Sequence, residues 1–151
     1  MLRPSKKMLF AIEAVLDIAY HAGGEPVQSR EITRRQGIPR RYLEQTLQQL
    51  VRSGILTGVR GPRGGYRLAR ERRRITVGEI VRVVQSLELT EEIQEEMPSS
   101  DLGLKVIRPM WTDLQEELML KLDAISIDDL CMRSYQGGIV SEVTQKMDFT
   151  I

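Results

Sequence analysis

The sequence predicts a mainly α-helical chain with a small β-wing. Two short helix patterns are separated by a turn at Gly37, and a hairpin pattern with a glycine- and arginine-rich tip follows them. Helix, turn, helix and cationic hairpin in this order are typical of a winged helix-turn-helix domain. A long amphipathic helix pattern lies further on. The expected organisation is a winged helix-turn-helix domain at residues 1–87, a linker at 88–103, a long and a short helix at 104–135, and a tail at 136–151.

The composition allows one sizeable core plus a helix that needs a partner. No apolar run reaches the roughly 18 residues of a membrane span, so we expect no membrane partner. The basic start of the chain leads into a segment interrupted by Glu13 and Asp17, which is an amphipathic helix pattern and not a signal peptide. The lone cysteine, Cys131, excludes an intrachain disulfide framework and indicates a cytoplasmic protein.

The net charge of +1 conceals an asymmetry between the two halves. Residues 1–75 carry 16 Lys and Arg against 6 Asp and Glu, whereas residues 76–151 carry 6 against 15. A basic half suits a polyanion such as nucleic acid. An acidic half would be repelled by DNA and is better placed for assembly or sensing. The alternative is a chance asymmetry of solvated faces.

An apolar stripe at helical spacing predicts the first helix over residues 5–22. The stripe consists of Met8, Ile12, Val15 and Ala19. Gly23 and Gly24 end this helix. His21 lies four residues after Asp17 on the same face, and we interpret the two as a surface pair; the alternative is a metal-binding or pH-sensing role.

The next two helices form the predicted helix-turn-helix. Ser29 is the expected N-cap of the second helix, which ends at Gly37. Pro39 starts the third helix at a position where its missing N–H costs nothing, and Gly54 terminates it. The side chains of this helix expected to face inward are Leu43, Leu47 and Leu50.

Two wing strands are predicted at residues 55–60 and 65–69, followed by a charged connector at 70–74. Thr76 and Glu79 have the spacing of a capping box. The helix that they open carries an apolar face made of Ile80, Val83, Val84 and Leu87.

Residues 88–103 are acidic and are predicted to form a loop or partly ordered linker. Pro109 is awkward inside the long helix that follows. This helix therefore begins either near Arg108, with the proline in its first turn, or near Leu104 with a kink. Its apolar stripe consists of Trp111, Leu114, Leu118, Leu122 and Ile125. A short helix is predicted at 127–135.

The outer face of the third helix presents polar side chains at spacing i, i+3, i+4 and i+7. They are Arg41, Glu44, Gln45 and Gln48. Arginine suits guanine, glutamine suits adenine and glutamate accepts from the cytosine amino group in the major groove. Arg40 and Tyr42 flank the stripe and suit phosphates, as do Arg34 and Arg35 on the preceding helix. The alternative is an ordinary solvated face.

The hairpin tip suits a DNA backbone. Its glycines let the main chain approach phosphates, and Arg60 or Arg63 can enter a narrow minor groove. A P-loop is a poor match because no Lys-Ser or Lys-Thr follows the glycines. The alternative is a surface hairpin with solubilising arginines. The full set of expected DNA-binding residues is Ser29, Arg30, Arg34, Pro39, Arg40, Arg41, Tyr42, Glu44, Gln45, Gln48, Arg60, Gly61, Pro62, Arg63, Gly64, Gly65, Tyr66 and Arg67.

These motifs also carry a resemblance. The run Arg41-Tyr-Leu-Glu-Gln and the wing Arg60-Gly-Pro-Arg-Gly-Gly-Tyr are specific, and both occur here. With them, the chain resembles the Rrf-two family of bacterial transcription regulators, which includes the IscR, NsrR and CymR types. The similarity covers residues 1–87 closely and resumes at 108–111 and 122–130.

The resemblance implies a homodimeric winged helix-turn-helix regulator, expected to be a repressor, on a roughly palindromic operator. It implies dimerisation through the long helix, which agrees with the stripe from Trp111 to Ile125, because a chain this small can hardly cover that face alone. The alternative is an intrachain core helix. By the resemblance, Glu44 corresponds to a base-reading position and Arg60 to a wing arginine near the minor groove.

Many members of this family hold an iron–sulfur cluster through three cysteines in the loop before the long helix. Residues 88–107 contain no cysteine, so we expect no cluster, no metal and no other cofactor. The cluster-free branch of the family is similar in lacking these cysteines, and there regulation involves a partner enzyme and thiol state. Cys131 is either a redox switch or, more commonly for such a residue, a small buried hydrophobe.

The sequence therefore predicts a sequence-specific DNA-binding regulator and no enzyme. It offers no convincing pair of catalytic carboxylates and no Ser/His/Asp set, and it holds one histidine and one cysteine. The alternative function is an interaction protein whose acidic half binds a metabolic enzyme, with DNA binding secondary. Expected partners are double-stranded DNA, a second copy of the chain, and either a metabolic enzyme or a small-molecule effector.

Overall fold

The computed structural model describes residues 3–92 and 100–142. The chain is mainly helical with one two-stranded antiparallel wing, which confirms the predicted fold class. Its elements are α1 (Lys6–His21), α2 (Ser29–Gln36), α3 (Arg40–Arg52), β1 (Leu56–Val59), β2 (Gly65–Leu68), α4 (Val77–Glu92), α5 (Arg108–Asp123) and α6 (Ile127–Gln136). In the described part of the chain, no helix has the length and apolar character needed to cross a membrane.

Helix α1 is the centre of the core, because α2, α3, β2, α4 and α6 all pack against it. Small side chains on its inner face, Ala11 and Ala14, let these elements approach closely. The predicted stripe is only partly correct. Val15 and Ala19 are buried, but Met8 and Ile12 lie at the edge of the core. A helix surrounded on several sides buries more than one stripe, which a single periodicity does not reveal.

The helix-turn-helix forms largely as predicted. Gly37 adopts the left-handed conformation, with φ of 68°, and so turns the chain between α2 and α3. The three leucines of α3 are buried. The predicted N-cap of α2 is wrong, because Ser29 is the first residue of the helix and Gln28 is its N-cap. The main-chain N–H of Gln28 donates to Glu31 Oε2 at 3.0 Å, and this bond fixes the helix start one residue earlier.

The wing strands are shorter than predicted and pair from Leu56 opposite Leu68 to Val59 opposite Gly65. Val27, just before α2, exchanges two main-chain hydrogen bonds with Tyr66, of 2.9 and 2.8 Å. A Cβ atom at Gly65 would lie 2.4 Å from the Val27 carbonyl oxygen. Glycine at position 65 therefore lets the wing dock directly on the segment that leads into α2.

The capping box of α4 is confirmed, since Thr76 N–H donates to Glu79 Oε2 and Glu79 N–H to Thr76 Oγ1. The loop predicted at 88–103 is wrong at both ends. α4 continues to Glu92, and helical turns begin at residue 101 and pass through the π-helical segment Gly103–Ile107 into α5. The rest of that loop, residues 93–99, and the tail from residue 143 lie outside the described residues.

Pro109 explains this π-helical segment. The proline has no N–H to donate, and Arg108 N–H reaches back five residues to the Gly103 carbonyl oxygen. The predicted start near Arg108, with the proline in the first turn, is confirmed for α5 itself. The other predicted start, near Leu104, corresponds to the helical turns that precede α5 and begin at residue 101. α6 matches its predicted span to within one residue.

A buried ion pair joins α1 to α2. The Asp17 side chain is fully buried, and its carboxylate accepts hydrogen bonds from Arg35 Nε at 2.9 Å and Arg35 Nη2 at 2.8 Å. Gln36 Nε2 donates to the same carboxylate at 2.8 Å. The expected surface pair of Asp17 and His21 is wrong in its location, because the His21 side chain is only 8% exposed. Asp17 and His21 lie inside the contact between α1 and α2, where Arg35 of α2 is the main partner of Asp17.

His21 is held in its neutral form. Burial lowers the pKa of its imidazole, and the cations Arg35 and Arg34 act in the same direction against the carboxylates of Asp17 and Glu142. Its Nδ1 atom accepts a hydrogen bond of 3.1 Å from the Glu142 main-chain N–H, which a proton on Nδ1 would prevent. The geometry and the direction of the pKa shift therefore agree.

We predict that Asp17→Asn destabilises the protein by about 3 kcal/mol, because it leaves the buried guanidinium of Arg35 without its main counter-charge. Glu142 still pairs with Arg35, so the destabilisation lies at the lower end for a broken buried pair. Urea unfolding monitored by circular dichroism measures it. Glu13→Gln, an exposed carboxylate on the same helix, is the control. An Asp17→Asn variant as stable as the control would contradict the assignment.

We also predict that acid destabilises the wild type through His21. The pKa of His21 is lower in the folded state than in the unfolded state, where it is about 6.5. The contribution of such a group to stability is complete above the unfolded pKa and is lost as the pH falls through the folded pKa. His21 is the only histidine in the sequence. The unfolding free energy should therefore fall between pH 7 and pH 5.5 by more in the wild type than in His21→Gln. Equal pH dependence of the two proteins would refute this.

Candidate nucleic-acid interface

The outer face of α3 is free to meet a ligand. The residues of the predicted base-reading stripe are all exposed, whereas Leu43, Leu47 and Leu50 hold the opposite face in the core. Arg40 Nε donates to Glu44 Oε1 at 2.9 Å, so the carboxylate of Glu44 is already oriented along the helix surface. An arginine, a glutamate and two glutamines thus project from a rigid helix that a hydrophobic core positions.

The wing and the starts of α2 and α3 surround one open cleft. Ser29 and Arg30 line it from α2, and Arg40 lines it from α3. On the wing side it is lined by Gly58, Val59, Arg60, Gly61, Pro62, Gly64, Gly65 and Tyr66. Gln28 Nε2 donates to the Pro62 carbonyl oxygen at 3.4 Å and connects the tip of the wing to the start of α2. Residues predicted separately from three motifs therefore form one continuous surface.

Apart from Arg40, which pairs with Glu44, the basic side chains on and beside this surface keep their charge available. In the described part of the chain, no carboxylate lies within 4.0 Å of the guanidinium of Arg30, Arg41, Arg60 or Arg63. Four unscreened cations on one side create a positive potential suited to a polyanion.

Several arginines away from this surface are neutralised. Arg70 pairs with Glu79 at 3.0 Å, Arg72 with Asp128 at 2.7 Å, and Arg82 with Asp123 at 2.6 Å. The partners come from the acidic half of the chain. Part of the acidic half of the sequence therefore forms ion pairs with arginines outside the cleft. The arginines around the cleft and on α3 remain largely without such partners.

Two predicted backbone contacts need correction. Arg35, expected to reach DNA phosphates, has a side chain only 9% exposed and is occupied by Asp17. Arg34 remains 62% exposed, but its Nη2 atom binds Glu142 Oε1 at 2.8 Å. The sequence shows two adjacent arginines on a polar helix and gives no sign that one of them faces the core.

Two wing residues have structural contacts as well. Arg67 Nη2 donates to the Gly24 carbonyl oxygen at 3.0 Å, and Tyr66 packs against the hydrophobic core. Both residues fix the base of the wing. Arg60 and Arg63 at its tip are exposed.

The predicted dimerisation stripe lies on the surface of the chain. Trp111, Leu114 and Leu118 are 42%, 49% and 56% exposed, whereas Leu122 and Ile125 are half-buried. No residue of α5 is buried. The alternative of an intrachain core helix therefore fits only the last part of the stripe, and residues 3–92 and 100–142 leave the first three positions of the stripe exposed.

Cys131 lies in the core, 4% exposed, and burial raises the pKa of its thiol. The neutral thiol is the unreactive form, so the environment favours a small buried hydrophobe over a redox switch. Among the described residues, no three His, Cys, Asp or Glu side chains converge as they would around a metal ion.

Known proteins of similar sequence and structure are bacterial regulators. The chain is 37% identical to the HTH-type transcriptional regulator IscR of Xenorhabdus nematophila over 131 residues, which are 85% of this chain and 79% of that protein. The solved structure of T. potens IscR superposes with a TM-score of 0.73 at 32% identity and covers 93% of both chains.

A second solved structure is that of CymR, the global cysteine regulator of B. subtilis. It superposes with a TM-score of 0.69 at 25% identity and covers 88% of this chain and 98% of CymR. The model of the Rrf2 family, described as an iron-dependent transcriptional regulator, matches residues 4–133. The chain therefore belongs to the Rrf2 family of DNA-binding winged helix-turn-helix transcription regulators and is not an enzyme.

Proposed function

We propose that this protein is a homodimeric repressor that binds a palindromic operator with α3 in the major groove and the wing at the adjacent minor groove. The observation that carries the proposal is the sorting of charge. Most arginines on the α3 and wing side lack carboxylate partners among the described residues, the exception being Arg40, which pairs with Glu44 of its own helix. Elsewhere, Arg70, Arg72 and Arg82 are paired with carboxylates of the acidic half.

In this arrangement the side chains have distinct tasks. Arg41, Glu44, Gln45 and Gln48 contact base edges. Ser29 and Arg30 at the start of α2, together with Arg40, contact phosphates, where the N–H groups of a helix N-terminus add to the attraction. Arg60 and Arg63 follow the minor groove and its phosphates.

A second copy of the chain is the proposed cover for α5. An apolar stripe that the described residues of its own chain leave exposed is a typical oligomerisation surface. A two-fold dimer would present two α3 helices to two half-sites, as the symmetry of a palindrome requires.

We further propose that the protein regulates without a resident iron–sulfur cluster, although the family description names iron. The sequence holds one cysteine, and Cys131 is buried with a disfavoured thiolate. These residues do not fit a group held by several thiolates.

The alternative function as an enzyme-binding protein has fewer free carboxylates to draw on than the sequence suggests. Glu79, Asp123 and Asp128 of the acidic half already pair with arginines of the same chain. They are therefore poorly available as an acidic docking surface for another protein.

We predict that Arg60→Ala with Arg63→Ala weakens DNA binding and flattens its salt dependence, by about one unit of slope for each phosphate that the protein no longer binds. The probe is the fragment that the purified protein selects from its source genome. The affinity for a scrambled version of this fragment should fall by the same factor.

Glu44→Ala is the contrasting variant. It should relax base preference, which is worth about 1–3 kcal/mol for a good base contact, and it should not flatten the salt dependence, because Arg40 keeps its charge when its partner Glu44 is removed. Fluorescence anisotropy on both probes measures these effects. An unchanged salt slope in the double arginine variant would refute the proposed wing contact.

We predict that Leu118→Glu converts a dimer into a monomer that keeps its fold. Burying a glutamate in the apolar interface is costly, whereas the single chain tolerates the charge at this exposed position. Sedimentation equilibrium should give twice the chain mass of 17.3 kDa for the wild type and 17.3 kDa for the variant.

The matched control for this test is Leu120→Glu. Leu120 is 70% exposed and lies on the opposite side of α5, so the same substitution there should leave the dimer intact. A dimeric Leu118→Glu variant would contradict the assigned interface.

We predict that anaerobically purified protein shows no visible iron–sulfur absorption and no stoichiometric iron. A cluster chromophore that disappears on exposure to air would overturn the proposed absence of a cluster.

A further inference from the structure

The chain returns to the helix-turn-helix after α6. Residues 139–142, which we call the clasp, lie across the end of α1. Tyr20 Oη donates to the Ile139 carbonyl oxygen, and Ser141 Oγ donates to the Tyr20 carbonyl oxygen at 2.9 Å. The Glu142 main-chain N–H then donates to His21 Nδ1 at 3.1 Å. These consecutive contacts direct the clasp from the end of α1 towards α2.

The side chain of Glu142 extends onto α2 and bridges two arginines. Its Oε1 atom lies 2.8 Å from Arg34 Nη2, and its Oε2 atom lies 2.8 Å from Arg35 Nη1. The hydrogen bond from Arg34 lowers the pKa of the Glu142 carboxyl, so this group is ionised at neutral pH. Arg35 is already neutralised by Asp17. The charge that Glu142 mainly removes is therefore that of Arg34.

Arg34 belongs to the cationic side of α2. It follows Arg30 by four residues and shares its helix face, and Arg30 lines the cleft beside the wing. No other carboxylate among the described residues lies within 4.0 Å of Arg34. A carboxylate from 108 residues further along the chain thus stands where a DNA phosphate would meet this arginine.

The clasp is held mainly by polar contacts. Ile139 and Val140 are 55% and 54% exposed, so the clasp gains little from apolar burial. The pair of Glu142 with Arg34 is weak because Arg34 is largely exposed, whereas the pair of Glu142 with Arg35 is more enclosed. A hydrogen bond that is exchanged for one with water contributes little net stability. Polyanionic DNA is therefore able to displace the Glu142 carboxylate from Arg34 without unfolding the core.

We propose that Glu142 forms an autoinhibitory contact: its carboxylate occupies Arg34 in the free protein and leaves when Arg34 binds a DNA phosphate. The inference rests on the proposed DNA-binding role of α2 and adds an internal competitor to it. Any event that lifts the clasp from His21 and Arg34 would raise affinity for DNA, so the clasp is a place where a signal can act on binding.

The test compares four proteins on the duplex selected from the source genome: wild type, Glu142→Gln, Arg34→Ala, and the double variant. Glu13→Gln, which removes one exposed carboxylate from α1, is the control for net charge. Thermal melting verifies that each protein is folded. We expect Glu142→Gln to bind DNA about threefold to tenfold more tightly than Glu13→Gln, and with a steeper salt dependence, because Arg34 is free to contact phosphate.

The gain should vanish in the Arg34→Ala background. If Glu142→Gln binds DNA no more tightly than Glu13→Gln does, the inference is overturned, while the proposed DNA-binding function stays intact. A gain that persists without Arg34 would overturn it too. Failure of the wild type itself to bind DNA would instead count against the proposed function.

Discussion

The buried pair of Asp17 and Arg35 is the interaction on which the arrangement of the DNA-facing elements depends. α2 has eight residues and buries a single hydrophobic side chain, Ile32. A helix with so little apolar burial needs another anchor, and a bidentate ion pair to the central helix α1 supplies direction as well as attachment. Because a lone charge at this place would be costly, the pair also makes alternative placements of α2 unfavourable.

The orientation of α2 then positions its neighbours. The turn at Gly37 connects α2 to α3, and the two hydrogen bonds between Val27 and Tyr66 connect the start of α2 to the wing. The base-reading helix, the phosphate-facing helix start and the wing arginines are thus parts of one scaffold. Most arginines on the outer surface of this scaffold have no carboxylate partner among the described residues. Several arginines elsewhere in the chain are neutralised by carboxylates of the acidic half.

Much of this can be predicted from the sequence, because local patterns determine it. The leucine spacing of α3, the turn at Gly37, the capping box at Thr76 and the glycines of the wing act over a few residues. The candidate site follows from the same patterns, since a polar stripe opposite Leu43, Leu47 and Leu50 has to face outward. The exposed stripe of α5 is predictable for the same reason.

The rest depends on contacts between distant segments. The burial of Arg35 follows from Asp17 on another helix, and the cover on Arg34 comes from Glu142. The sequence does not predict that α4 extends to Glu92, because the acidic composition of its last residues is typical of a loop. Asp17 does give one signal, because it lies between Val15 and Ile18 on the inner half of α1, where an acidic side chain requires a buried partner.

The most direct test of the account is a hydroxyl-radical footprint on DNA that the protein selects from its source genome. Two copies of one rigid scaffold should protect two segments related by two-fold symmetry, with centres about 10 base pairs or a multiple of that apart. Protection of such a pair within a palindromic sequence is the predicted result. A single segment without symmetry, or uniform protection along the duplex, would contradict a symmetric dimer that reads bases through α3.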